Sequence, residues 1–209
     1  MNIIIKIWHK LDEVWTKATS KHKPSEEVEQ LIETRRKNRE ETVARKMQEY
    51  EVKKLERQRL AEERKEQEKQ EVLALLQYFV KLDQLEYTMY EFNEIKRNKA
   101  FFTAVEQRVF ESGEQGLSFI ACEFDKSSKR EYKGYLFVTN KRVFFIDRRL
   151  QNFHKFRYQT IINVNWFSDG VLERGLYIQY GKRRLEFDEI FDMNQLKRVG
   201  NLILHLSKR

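Results

Sequence analysis

The side chains able to do chemistry are few and dispersed. The four histidines, His9, His22, His154 and His205, have no metal-ligand spacing to one another or to the single cysteine, Cys122. No glycine-rich phosphate loop, nucleophile elbow or HExxH pair occurs. Asp188, Glu189 and Asp192 form an acidic cluster just before a C-terminal helical pattern, where they would favour the positive end of its dipole over acid–base work. Cys122 interrupts an apolar strand pattern and reads as a buried structural thiol. These residues assign no catalytic group, metal ligand or cofactor, and the chain reads as non-enzymatic.

The remaining chemistry is cationic. The chain has 209 residues and a net charge of +8. The surplus sits at the two ends: residues 1–24 carry +3, residues 25–99 carry −1 and residues 100–209 carry +6. Such an excess suits an anionic membrane surface or nucleic acid about equally. Arg148-Arg149 and Lys182-Arg-Arg184 lie near aromatic residues, but each falls in a turn, where solvated charge is the default and nucleic acid the weaker fit. One cysteine leaves no internal disulfide and points to a reducing cytoplasm. Ile3–Ile5 is too short for a leader or a span.

Three segments must position these groups: 1–24, 25–98 and 99–209. In the first, Ile4, Trp8, Leu11 and Trp15 fall on one helical face, widened by Ile7 and Val14. Two tryptophans over a lysine-bearing polar face suit either a lipid interface or docking on protein. Pro24 ends this helix. From Ser25 to Glu71 the chain has no Gly or Pro and is rich in Glu, Lys, Arg and Gln. Val43, Met47 and Tyr50 start a heptad seam that stops at Lys54 and Arg57, so the stretch is a weak coiled coil or a single solvated helix. Leu75, Phe79, Leu82, Leu85, Met89, Phe92 and Ile95 then repeat at steps of three and four. That seam must pack on a second copy or on the domain that follows. A continuous helix over residues 25–98 would span roughly 110 Å at ~1.5 Å per residue.

Beyond residue 98 the period changes. After a short helical stretch, Phe101–Phe110, and a turn, Glu111–Gly116, strands are expected at Leu117–Phe124, Tyr132–Thr139, Arg142–Asp147, Phe153–Tyr158, Ile161–Trp166, Leu176–Tyr180 and Leu185–Phe187. Asn140-Lys141 and Gly181-Lys182 supply tight hairpin turns, with Asn140 suited to positive φ and Thr139 and Arg142 placed to tie the turn's backbone. Leu196, Val199, Leu202, Ile203 and Leu206 make one apolar helical stripe. The fold class is α+β: a long helical, coiled-coil-like arm, then a bent seven-stranded antiparallel sheet or barrel capped by a C-terminal helix.

Gly134-Tyr-Leu-Phe-Val-Thr-Asn-Lys-Arg-Val-Phe-Phe-Ile146, with the Glu114 turn, Phe156-Arg-Tyr158, Ile161 and Leu185-Glu-Phe187, resembles the bacterial pleckstrin-homology-like domains. The resemblance covers about 100 residues and implies an interaction scaffold rather than an activity. Eukaryotic relatives bind phosphoinositides through the loop between the first two strands. In this chain Lys126, Lys129, Arg130 and Lys133 occupy that loop, as candidate contacts for anionic lipid or a partner. The relatives' basic-x-Arg pair is incomplete, because Gly134 and Tyr135 follow Lys133. The expected role is a cytoplasmic scaffold that binds a protein partner through its β-domain, with the arm, and helix 72–98 in particular, setting distance or homo-oligomeric state. The alternative is a peripheral protein on the inner face of a membrane, held by the Trp8/Trp15 face and the basic loop. Nucleic-acid binding is the third reading.

Overall fold

The computed structural model describes residues 3–19, 25–80, 86–127, 130–169 and 173–208, without the side chains of residues 3–6, 25, 126, 127, 169 and 173. The chain divides into two compact units, Met1–Lys65 and Glu66–Arg209.

In the first unit, α1 (Ile3–Thr19) packs beside the beginning of α2 (Ser25–Phe79). Among the described side chains of α1, those that turn inward are polar. Thr16 and Asp12 are buried, as is Ile32 of α2. Arg35 donates to Thr16 Oγ1 at 2.9 Å, and Arg39 pairs with Asp12 at 2.5 Å. Further along α2, Val43, Met47, Tyr50 and Leu55 are exposed. Helix formers and i,i+4 pairs such as Arg59–Glu63 sustain this stretch. Among the described residues no helix is long and apolar enough to cross a membrane.

In the second unit, α2 ends at Phe79, and α3 (Met89–Arg97) and α4 (Lys99–Val109) follow. The seven strands are β1 (Gly116–Ser127), β2 (Arg130–Thr139), β3 (Val143–Asp147), β4 (Phe153–Phe156), β5 (Ile161–Asp169), β6 (Glu173–Tyr180) and β7 (Arg183–Asp188). They form one antiparallel sheet in the order β4-β3-β2-β1-β7-β6-β5, and α5 (Met193–Ser207) closes it. β1 runs along the whole of β2 but meets β7 only from Glu123 to Asp125. Hairpin turns form at Asn140-Lys141 and Gly181-Lys182 as expected, setting Val138 opposite Val143 and Tyr180 opposite Arg183.

Two cores share this sheet. Ile120, Cys122, Leu136, Val138, Val143 and Phe145 face inward, against β5–β7 and α5. The intervening Phe119, Tyr135, Phe137, Phe144 and Ile146 face the other way and are also buried, under Val72, Leu76 and Phe79 of α2, Ile95 of α3 and Phe102 of α4. Strands covered on both faces carry unbroken apolar runs instead of alternation.

The seam expected from Leu75 to Ile95 is not one helix. Phe79 and Ile95 are buried, Leu75 and Phe92 are half-buried, and Met89 is 64% exposed. Leu82 and Leu85 lie outside the described residues. The continuous helix through residue 98 is therefore corrected to two helices. Its stop is physical: Gly116 of β1 lies so close to Phe79 that a Cβ there would meet the Phe79 backbone at 2.5 Å. Gln115 Nε2 also donates to the Gln77 carbonyl at 2.7 Å, capping the helix end. α3 then starts on a capping box, with Thr88 Oγ1 accepting from Glu91 N–H and Glu91 accepting from Thr88 N–H.

Candidate functional site

The pleckstrin-like signature, Thr139-Asn-Lys-Arg142, builds a turn rather than a binding surface. Thr139 Oγ1 accepts from the N–H groups of Lys141 and Arg142 at 3.2 and 3.1 Å, tying the turn as expected. Asn140 does not take positive φ; among the described non-glycine residues only Leu150 and Glu189 do. Its side chain instead accepts from Gln115 N–H at 2.9 Å and donates to the Gly113 carbonyl, pinning the 111–116 turn. The Arg142 guanidinium is buried and bidentate on Glu114, at 2.9 and 2.8 Å, with Glu111 as a further partner at 2.6 Å. Burying this pair is tolerable only because both ends are fully engaged.

A groove of about 780 Å³ opens between α3 and the loop from β7 to α5. Three anchors shape it. Glu91, fully buried, accepts from Ser118 Oγ at 2.6 Å and from Gln195 Nε2 at 2.9 Å, locking α3 to β1 and α5. Asp192 caps α5 by accepting from Gln195 N–H at 2.9 Å. Ile190 is buried and its N–H donates to the Arg174 carbonyl. Phe191, held between these two fixed neighbours, points outward and is 76% exposed. Met89, at the start of α3, also lines the groove.

The floor of the groove is the edge of β1 at Ala121 and Cys122. That edge is already satisfied. Ala121 N–H donates to Tyr90 Oη at 2.8 Å, and Gln195 Nε2 donates to the Phe119 carbonyl at 2.7 Å. Burial raises the Tyr90 phenol far above its usual value, so it stays neutral. Burial likewise raises the Cys122 thiol, which removes it as a nucleophile at neutral pH. Two of the wall cations are paired, and a third, Arg148, lies 5.8 Å from the Tyr135 ring centroid. Lys133 contacts Glu189 at 2.6 Å and Glu123 at 3.1 Å, and these carboxylates raise its pKa. Glu94 accepts from Tyr135 Oη at 2.7 Å and lies 3.7 Å from Arg97. Such a groove suits an apolar side chain framed by polar groups, recognised by side chains and not by strand addition.

The residues singled out in the sequence are distributed as follows. Of the basic loop, Arg130 is exposed, Lys133 is held by its two carboxylates, and the side chains of Lys126 and Lys129 lie outside the described residues. The Asp188, Glu189 and Asp192 cluster does not act together at the helix end. Only Asp192 caps α5, Glu189 meets Lys133, and Asp188 gathers with Asp125 and Glu186 within 4.8 Å where β1 pairs with β7. Burial, then the neighbouring carboxylates, pushes Asp188 up to about 6. On α1, Trp8, Leu11 and Trp15 are exposed, and the side chain of Ile4 lies outside the described residues. Phe191 and Met89 were not read as partners in a site. The available signals were the Thr88-x-x-Glu91 capping box and an apolar pair, Ile190-Phe191, directly before an N-cap.

The family model for the bacterial PH domain matches residues 83–204, more than half of the chain. No curated protein matches. Among solved structures, the chain is similar to the C-terminal domain of an unknown protein from Leishmania infantum, at 15% identity and a TM-score of 0.42, over 53% of this chain and 97% of that one. It is similar to the Vps36 N-terminal PH domain at 14% identity and a TM-score of 0.39, over 48% and 83%. A linker-DH/PH structure of p115-RhoGEF is similar at 9% identity and a TM-score of 0.39, over 66% and 40%. With its seven-stranded antiparallel sheet and closing helix, the chain belongs to the bacterial PH domain family.

Proposed function

We propose that this chain is a non-enzymatic interaction protein whose PH-like domain receives a segment of a protein partner in the groove between α3 and the β7–α5 loop. Membership in the family supports an interaction module for protein or lipid. The observation that favours protein is the pair of large apolar side chains lining the groove, one from α3 and one from the β7–α5 loop, Met89 at 64% and Phe191 at 76% exposure. An exposed phenylalanine fixed in place by a buried neighbour and a helix cap is a preorganised anchor. Two of the wall cations, Lys133 and Arg97, are already answered by carboxylates, and Arg148 lies over the Tyr135 ring, which weakens the groove as a headgroup site. In the same proposal α2 serves as the arm, for spacing or for pairing with a second copy through its exposed Val43, Met47 and Tyr50.

The test is a photo-crosslinking residue placed at position 191 of the full chain, with position 162 on β5, also exposed, as the control. The expected result is one discrete protein adduct at 191, absent at 162 and lost when Met89→Asp is added. Adducts to lipid alone at 191 would overturn the reading. Sedimentation of the full chain addresses the arm, since a monomer at every concentration removes pairing.

A further inference from the structure

α1 is amphipathic, but it turns its polar side to its neighbour. Asp12 and Thr16 are buried against α2, while Ile7, Leu11, Val14 and both tryptophans stay exposed, Trp8 at 54% and Trp15 at 63%. These five side chains, each more than half exposed, make one apolar stripe of the kind that marks an interaction site.

The borders of the stripe say what covers it. Along one side the Arg39 guanidinium lies 5.4 Å from the Trp8 ring centroid, and that of Arg35 lies 5.6 Å from Trp15. Arg35 is held there by Thr16 Oγ1, a neutral acceptor, so its charge remains available. The two indoles and the two guanidiniums line a cleft of about 700 Å³ between α1 and α2. Lys10 and Lys17 follow the other side of the helix in sequence register and both are exposed, Lys17 paired with Glu13 at 2.8 Å. A second copy of the chain pairing through this stripe about a two-fold axis would set one cationic border against another. A surface carrying phosphates above an apolar layer matches both the stripe and its borders. Indole rings favour that interfacial zone, and long cationic side chains reach from it to the headgroups.

We infer that the α1–α2 hairpin lies on an anionic lipid surface, with the Ile7/Leu11/Val14 stripe and both indoles entering the interface and Arg35 receiving a lipid phosphate, while Arg39 stays paired with Asp12. This surface is separate from the PH groove, so each can fail alone.

The full chain is sedimented with vesicles of phosphatidylcholine, or of equimolar phosphatidylcholine and phosphatidylserine. Binding to the mixed vesicles is expected, falling about tenfold in the bound-to-free ratio with Trp8→Glu plus Trp15→Glu. Arg35→Gln should reduce the preference for mixed over neutral vesicles, and Phe191→Asp should change neither. Far-UV circular dichroism checks that the variants keep their helix. Brominated acyl chains supply a readout without substitutions, since they should quench tryptophan emission of the wild-type chain. Absence of both quenching and sedimentation overturns the inference. So does a lipid-independent dimer that the tryptophan pair dissociates, which would give the stripe to a second copy.

Discussion

Residues 72–79 of α2 bury Val72, Leu76 and Phe79 completely, whereas residues 32–39 of the same helix meet α1 through Ile32, Arg35 and Arg39. At the first place apolar side chains turn in and polar ones turn out. At the second the order is reversed on the neighbouring helix, with Thr16 buried and Trp15 at the surface. Both segments are amphipathic, but one apolar face is spent on the fold and the other is left exposed. A stripe in sequence therefore predicts burial against something, without saying whether that something is the chain itself.

The sharpest way to break this contrast is to truncate Phe79. Its ring meets Phe102 at 5.1 Å, Phe110 at 5.2 Å and Phe137 at 5.6 Å. Phe79→Ala should cost about 3–5 kcal/mol in denaturant unfolding of the second unit. By the same logic a fragment of residues 66–209 should unfold cooperatively, while one starting at residue 83, where the family match begins, should expose Phe119 and Phe137 and associate. If residues 83–209 prove equally stable and monomeric, the end of α2 is no part of the domain.

The next effect concerns the buried carboxylate that joins three elements. Glu91→Ala leaves Ser118 Oγ and Gln195 Nε2 without their acceptor and removes the capping box of α3. A loss of about 2–3 kcal/mol is expected. Glu91→Gln, which keeps the shape but replaces one acceptor with a donor, should lose less. Equal losses would mean that packing, and not the network, fixes α3.

A smaller and pH-dependent effect follows from Asp188. Its pKa is raised from an ordinary 3.8 to about 6, chiefly by burial and then by Asp125 and Glu123. The fold thus favours the protonated form, so the contribution of this group to stability is greatest at acid pH and falls as pH rises from about 4 through about 6. Asp188→Asn should remove that fall, raising the melting temperature by a few degrees at pH 8 and by little at pH 4; with the group partly solvated, about 1 kcal/mol is expected. A variant equally stabilised at both pH values would show that its ionisation is not responsible.

Most of the β-domain was legible because its signals are local. Hairpins at Asn140-Lys141 and Gly181-Lys182, the apolar strands and the stripe of α5 each follow from turn chemistry or period. What could not be read was long-range. Tyr135 and Phe137 look the same in sequence as Leu136 and Val138, yet they belong to different cores, one closed by helices more than 30 residues earlier. The seam from Leu75 to Ile95 kept its period across a break because Phe79 and Ile95 face one surface from two helices. The groove was invisible for a related reason: Met89 and Phe191 are 102 residues apart, and long-range contacts such as those of Glu91 with Ser118 and Gln195 bring their elements together.

The smallest effects should invert ordinary expectation and thereby test the first unit directly. On α1 the buried Thr16 receives Arg35, while Trp15 lies largely in solvent. Thr16→Val keeps the volume but removes the acceptor, and should cost up to about 1 kcal/mol of local stability. Trp15→Ala, the larger truncation, should cost less than about 0.5 kcal/mol, since little of its ring leaves water. Amide hydrogen exchange across residues 7–19 reads both, because opening of this helix need not unfold the second unit. Should Trp15→Ala loosen α1 more than Thr16→Val does, the indole face packs on protein after all. The contrast between the two regions of α2 would then disappear.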